Sequence, residues 1–181
     1  MALINTTTTG ILGTTVYGDG QGPLTVQKDG VTQAILPNIP AFHVYKSSSN
    51  QNITSSTGTT VTMEAVRYDT CNGWNTSTNR WTPNVAGYYQ FNGLLQKSSS
   101  GSNVLIAFIY KNGAVALNGQ RSDTSSSTYM INYYASVSGM LYMNGTTDYI
   151  EVYAYQGSAG SLTVGSDSSL RPFSAALIRS A

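Results

Sequence analysis

The sequence predicts an all-β fold, an antiparallel jelly-roll β-sandwich with an extended, β-prone N-terminal arm. Three observations carry that prediction. Runs of β-branched and aromatic residues of strand length recur from residue 41 onward, and no helical periodicity persists over about ten residues. Five Asn-Gly pairs, at Asn72, Asn92, Asn112, Asn118 and Asn144, mark points where the backbone can take a positive φ cheaply. Charged residues make up only 9% of the chain, against about 25% in ordinary domains. Ser, Thr, Asn and Gly replace them, so solubility rests on hydroxyls and amides.

Residues 1–36 are Thr- and Gly-rich with short β-prone pieces and no sizeable apolar set. They read as an arm whose Leu24, Val26, Val31 and Ile35 would attach to a partner. The same composition leaves a disordered tail open. Residues 37–40 hold Pro37 and Pro40 and read as a stiff linker. Residues 41–181 form the head, with strands expected in "AFHVYK", "TTVTMEAVRY", "AGYYQFNGLLQ", "NVLIAFIYKNG", "STYMINYYASVSGMLYM", "DYIEVYAYQ" and "FSAALI".

The alternation within these strands assigns faces. In "DYIEVYAYQ", Ile150, Val152 and Ala154 share one side, and Tyr149, Glu151, Tyr153 and Tyr155 the other. "NVLIAFIY" is apolar on both sides, which in a two-layer sandwich implies a third layer. A second copy of the chain supplies that layer most simply, although tyrosines decorating an outer sheet would give the same pattern. Tyr89, Phe91, Phe108, Tyr149, Tyr153 and Tyr155 are the expected interface of a homotrimer.

Both tryptophans flank one Asn/Thr-rich turn in "NGWNTSTNRWTPNVAGYYQF". Cross-strand aromatic pairs add roughly 0.2–1 kcal/mol, so Trp74 and Trp81 are expected to pin the register of a hairpin. With Ala41-Phe42, "VTMEAVRYD", Asn72-Gly73, Pro83, Gly87, Tyr89-Gln90-Phe91, "IAFIYKNGAVA", "SGMLYMNGTTDYIEVYAY" and "SLRPFSAALI", this stretch resembles the globular head of complement component 1q, a branch of the tumour-necrosis-factor-like jelly rolls. The resemblance spans about residues 41–179 and implies a trimeric head. Two positions depart from the family pattern: its Gly-Asp pair is spread over Gly145-Thr146-Thr147-Asp148, and Ala175 replaces its closing Gly.

Catalytic and metal chemistry find little footing. His43 is the single histidine, so one chain can assemble neither a Ser-His-Asp triad nor a histidine metal site. The eight carboxylates form no acidic loop of the type that hard cations use. The resemblance admits an axial calcium through Asp69, Asp123 or Asp148, and the residues single out none of them. "YGDGQG" has no Lys at the P-loop position and no following helix, so it reads as a turn. Cys71, the one cysteine, excludes an intrachain disulfide and reads as a small packed residue. The four N-x-S/T sequons are about as many as chance gives in so Asn-, Ser- and Thr-rich a chain. Nine basic residues scattered singly at a net charge of +1 argue against nucleic acid. No apolar run reaches the ~18 residues of a membrane helix.

The expected function is therefore non-enzymatic, with no cofactor. The start lacks the features of a secretory signal, which favours a virion protein made in the host cytoplasm. The sequence suits a capsid decoration or short head-fibre protein of a bacteriophage, anchored by its arm and offering its head for host contact. The alternatives are a secreted complement-1q-like module for a ligand, receptor or surface glycan, and the receptor-binding tip of a phage tail fibre.

Overall fold

A computed structural model describes residues 2–5, 13–16, 24–28, 31–36, 39–48, 50–97, 104–123, 133–157, 162–165 and 172–181. The chain divides into two compact units, Met1–Ile39 and Pro40–Ala181.

The first unit contains two antiparallel strand pairs. β1 (Ala2–Asn5) pairs with β2 (Gly13–Val16). β3 (Leu24–Lys28) pairs with β4 (Val31–Leu36), from Leu24↔Leu36 to Lys28↔Val31. The dipeptide between Lys28 and Val31 is Asp29-Gly30, a sequence that two-residue hairpin connections favour. Leu24 and Val26 thus lie on one strand of this pair, and Val31 and Ile35 on the other.

The second unit is the head. Its strands are β5 (Ala41–Tyr45), β6 (Gln51–Ile53), β7 (Gly58–Thr60), β8 (Ala65–Asp69), β9 (Trp74–Asn75), β10 (Arg80–Trp81), β11 (Gly87–Lys97), β12 (Val104–Lys111), β13 (Ala114–Asp123), β14 (Tyr133–Met143), β15 (Ile150–Gln156), β16 (Leu162–Val164) and β17 (Pro172–Ser180). Among the described residues, one sheet runs β14-β11-β17-β5-β8, with β16 and β6 continuing from the far end of β11. The smaller sheet runs β13-β12-β15, and β10-β9 and β7 both pair with the free edge of β15. Among the described residues the pairings between these strands are antiparallel, as a jelly roll requires, and Ser55↔Gln156 adds one isolated parallel bridge.

The core lies between the sheets and follows the two-residue period. Phe42, Val44, Tyr89, Phe91, Leu95, Val137 and Phe173 from the larger sheet meet Leu105, Ala107, Ile109, Ile150, Val152 and Ala154 from the smaller one. The expected run "TTVTMEAVRY" is broken. β7 belongs to the smaller sheet and β8 to the larger, so residues 61–64 cross between layers. Their amides are satisfied individually on the way. Val61 N donates to Val152 O at 2.9 Å, Thr62 N to Gln51 Oε1 at 2.9 Å, and Met63 N to Asn79 Oδ1 at 2.8 Å. The first part of "STYMINYYASVSGMLYM", residues 127–132, lies outside the described residues.

The Asn-Gly pairs serve two purposes. Asn112 (φ 53°) and Gly113 (φ 80°) close the β12–β13 hairpin, both left-handed as a two-residue turn of type I′ needs. Asn92-Gly93 and Asn118-Gly119 lie inside strands instead. Gly119 is there for closeness, because a Cβ would collide with the carbonyl oxygens of Ala107 and Ser136.

Candidate recognition and self-association surfaces

The two tryptophans face each other across the β9–β10 hairpin, in the direct register Trp81↔Trp74. The turn between them is organised by Asn75, whose Oδ1 accepts from Ser77 N at 2.9 Å and Thr78 N at 3.1 Å. Trp81 is fully buried and Trp74 half-buried. Phe42 bridges them, stacking on Trp81 at 4.6 Å and on Trp74 at 5.7 Å, while Phe173 meets Phe42 edge-on at 5.1 Å. Asp69, at the end of β8, ties the group to the backbone. It accepts from Trp74 N at 2.7 Å, Cys71 N at 3.3 Å and Trp81 Nε1 at 3.4 Å. Burial first, then the Asp69 charge, pushes the Cys71 thiol up to about 11, so it is a poor nucleophile.

The expected interface residues separate into two groups. Tyr89 and Phe91 have no exposed surface in a single chain and cannot form a contact between copies. Both pack edge-on against Trp81, and the Tyr89 hydroxyl donates to Val85 O at 2.7 Å. Phe108, Tyr149, Tyr153 and Tyr155 do lie outside the core, half-buried. Much of their surface is covered from within the chain. Tyr153 stacks on Tyr110 at 3.8 Å, and Arg80 lies 4.1 Å over the Tyr149 ring. Arg80 also reaches buried Glu151, Nε to Oε1 at 3.1 Å. The tyrosine ladder is thus partly a roof over a buried carboxylate.

The larger sheet carries the more open apolar face. Tyr88 and Tyr142 pair directly across β11 and β14 with rings 5.5 Å apart, and Met140 lies two residues along from Tyr142, opposite Gln90. A register shift in the β11–β17 pairing leaves Ile178 unpaired between Leu177 and Arg179. Exposure is 49% for Tyr88, 60% for Met140, 42% for Tyr142 and 61% for Ile178. Tyr134 on β14 and Tyr68 on β8 are also exposed. His43 pairs with Tyr68 across β5 and β8, their rings 5.7 Å apart. Burial, and then the nearby Arg67 cation, lower the His43 pKa.

No family model and no curated protein sequence matches the chain. Solved structures do. The globular domain of zebrafish complement 1qA protein aligns at 19% identity over 79% of this chain and 99% of its own, with a TM-score of 0.54. Eiger TNF from S. frugiperda aligns at 9% identity over 80% of this chain and 96% of its own, with a TM-score of 0.59. Murine APRIL aligns at 11% identity over 77% of this chain and 99% of its own, with a TM-score of 0.54. The head has the complement-1q and tumour-necrosis-factor jelly-roll fold. At these identities the likeness is one of fold.

Within this jelly roll the lengthened turn after β14 braces itself. Asn144 Oδ1 accepts from the amides of Thr146, Thr147 and Asp148 at 2.9–3.0 Å, and Asp148 Oδ2 accepts from Asn144 N at 2.9 Å. Asp148 also receives Asn112 Nδ2 at 2.7 Å and pairs with Lys111 at 2.8 Å. Asp69 and Asp148 are therefore both engaged by their own chain. Among the described residues no three His, Cys, Asp or Glu side chains gather as a metal site, and the side chain of Asp123 lies outside the described set.

The Asp148 carboxyl gives a pH prediction. Burial acts to raise its pKa, but the hydrogen bonds from Lys111, Asn112 and the Asn144 amide, with the Lys111 charge, hold it below 3.8. A depressed folded-state pKa stabilises above the ordinary value and loses that contribution as pH falls through the folded one. Head stability should therefore fall below about pH 4. In Asp148→Asn this acid-dependent part should be smaller, measured as urea midpoint against pH.

Proposed function

We propose that the chain is a non-enzymatic structural protein whose jelly-roll heads assemble as a homotrimer for recognition or display. Its setting in this reading is the surface of a bacteriophage particle, as a capsid decoration or short head-fibre protein held by the N-terminal unit. The observation that carries the assembly is the open apolar face of the larger sheet, where Tyr88, Met140, Tyr142 and Ile178 are 42–61% exposed in one chain. Contiguous apolar surface of this kind marks interaction sites, and tyrosine and methionine are favoured in interface centres. The family resemblance in residues 41–179 supports three copies in a closed ring over other numbers. Phe108, Tyr149, Tyr153 and Tyr155 remain the second candidate face. A cation on the threefold axis would draw its ligands from all three copies, and the reading does not require one.

Attachment through residues 1–36 is supported by their falling within a compact unit of their own, with strands that each pair with one neighbour among the described residues. Such edges can extend a partner's sheet. Deleting residues 1–36 should abolish association with the particle and leave the trimer intact. Particle binding by the truncated chain would refute attachment by this unit. The complement-1q-like fold also favours a second reading, an exported recognition module, which predicts ligand binding by the head with no particle association at all.

A further inference from the structure

We infer that the cleft beside Trp74 binds a neutral saccharide. The cleft has a volume of about 610 Å³, within the range of roughly 300–1,000 Å³ usual for small-ligand sites. Connections distant in sequence build it: the turn before β9, β9 itself, the segment after β10 and the turn after β14. Its chemistry is selective. Asn72, Asn75, Asn84, Thr76 and Thr82 line it with Trp74, and no lining residue carries a formal charge. Phosphates, carboxylates and cations therefore meet no opposite charge there. Amides and hydroxyls both donate and accept, which is what the hydroxyls of an uncharged sugar require.

The second observation is the indole N–H of Trp74. It is buried and has no acceptor, although buried donors in native proteins are nearly always paired. The half-buried ring has to turn slightly toward the cleft for a sugar hydroxyl to supply the missing acceptor.

The backbone of the walls is set in place before any ligand arrives. Asp69 holds the Trp74 amide at 2.7 Å and the Cys71 amide at 3.3 Å, and Phe42 supports the Trp74 ring at 5.7 Å. Asn75 spends its Oδ1 on the turn, which leaves its NH₂ as a donor. Preformed walls lower the ordering cost of binding.

This inference gives the recognition reading a ligand class and rests on it, yet the two fail separately. Every lining residue comes from one chain, so a monomer that binds sugar would overturn only the trimer. A trimer indifferent to sugars would overturn only the cleft assignment.

The test follows the two indole N–H resonances of the full chain by NMR during titration with methyl glycosides of glucose, galactose, mannose and N-acetylglucosamine. Glucuronate and inorganic phosphate serve as charged counterparts. At least one neutral glycoside should shift the Trp74 resonance saturably by about 50 mM, the millimolar regime of a weak single-sugar site, while the fully buried Trp81 moves less. The charged probes should leave it in place. Thr76→Arg, at an exposed position, should weaken binding at least about tenfold with an unchanged melting temperature, and Trp74→Phe, which removes the N–H and with it the reporter, should weaken binding as read on the backbone amides of Asn72 and Asn75. No response to any neutral glycoside, or binding retained in both variants, would overturn the inference and leave a water-filled depression.

Discussion

Replacing Trp81 with alanine is expected to destabilise the head by about 3–5 kcal/mol, the range for truncating a large buried aromatic. Trp81 is wholly buried and touches Phe42, Tyr89 and Phe91, at ring separations of 4.6, 5.4 and 6.3 Å. Its loss leaves a cavity where both sheets meet and withdraws one donor from Asp69. Native domains hold only about 5–15 kcal/mol in total, so the melting temperature should drop by more than about 10 °C. Trp81→Phe should recover part of the loss by refilling the cavity. The two melts must be compared at one chain concentration, because assembly raises apparent stability by mass action. A loss under about 1 kcal/mol would mean that the aromatic cluster does not anchor the fold.

The second large effect concerns assembly. Met140→Asp should convert the proposed trimer to monomers, because it would place an unpaired charge in each of three equivalent contacts, at several kcal/mol apiece. The single chain should barely notice, since Met140 is 60% exposed and surface substitutions usually change stability by no more than about 0.5 kcal/mol. Val115→Asp is the matched control. Val115 is 49% exposed on β13 of the smaller sheet, so its charge should stay in solvent and the trimer should persist. The reverse pattern, with Val115→Asp dissociating and Met140→Asp intact, would move the interface to the smaller sheet and to Phe108 and Tyr153.

The sequence exposes some of this architecture and conceals the rest for physical reasons. The core face of β15 could be read directly, because Ile150, Val152 and Ala154 differ in polarity from their alternates and all three are buried, whereas the burial of Glu151 on the other face, beneath Arg80, could not. β11 could not. "GYYQF" offers tyrosine on both faces, and only the completed sandwich shows Tyr89 and Phe91 turned inward and Tyr88 outward. A two-residue period fixes which side chains share a face, but it does not say which face meets the other sheet. The Trp74–Trp81 pairing was legible because turn and partners lie within one short segment. Gly93 and Gly119 resemble turn glycines in sequence, yet each answers to neighbours on other strands. The cleft was beyond reach for the same reason. Asn72, Thr82 and Thr146 become neighbours only when three separate connections converge, and the unpaired Trp74 N–H has no signature in the chain.

The most direct test of the account is the native mass of the full chain by light scattering across about a hundredfold dilution, since mass action would reveal a weak assembly. The account predicts a stable mass three times 19.3 kDa. A mass of 19.3 kDa at all concentrations would contradict it, leaving the Tyr88–Met140–Tyr142 face to a partner other than this chain.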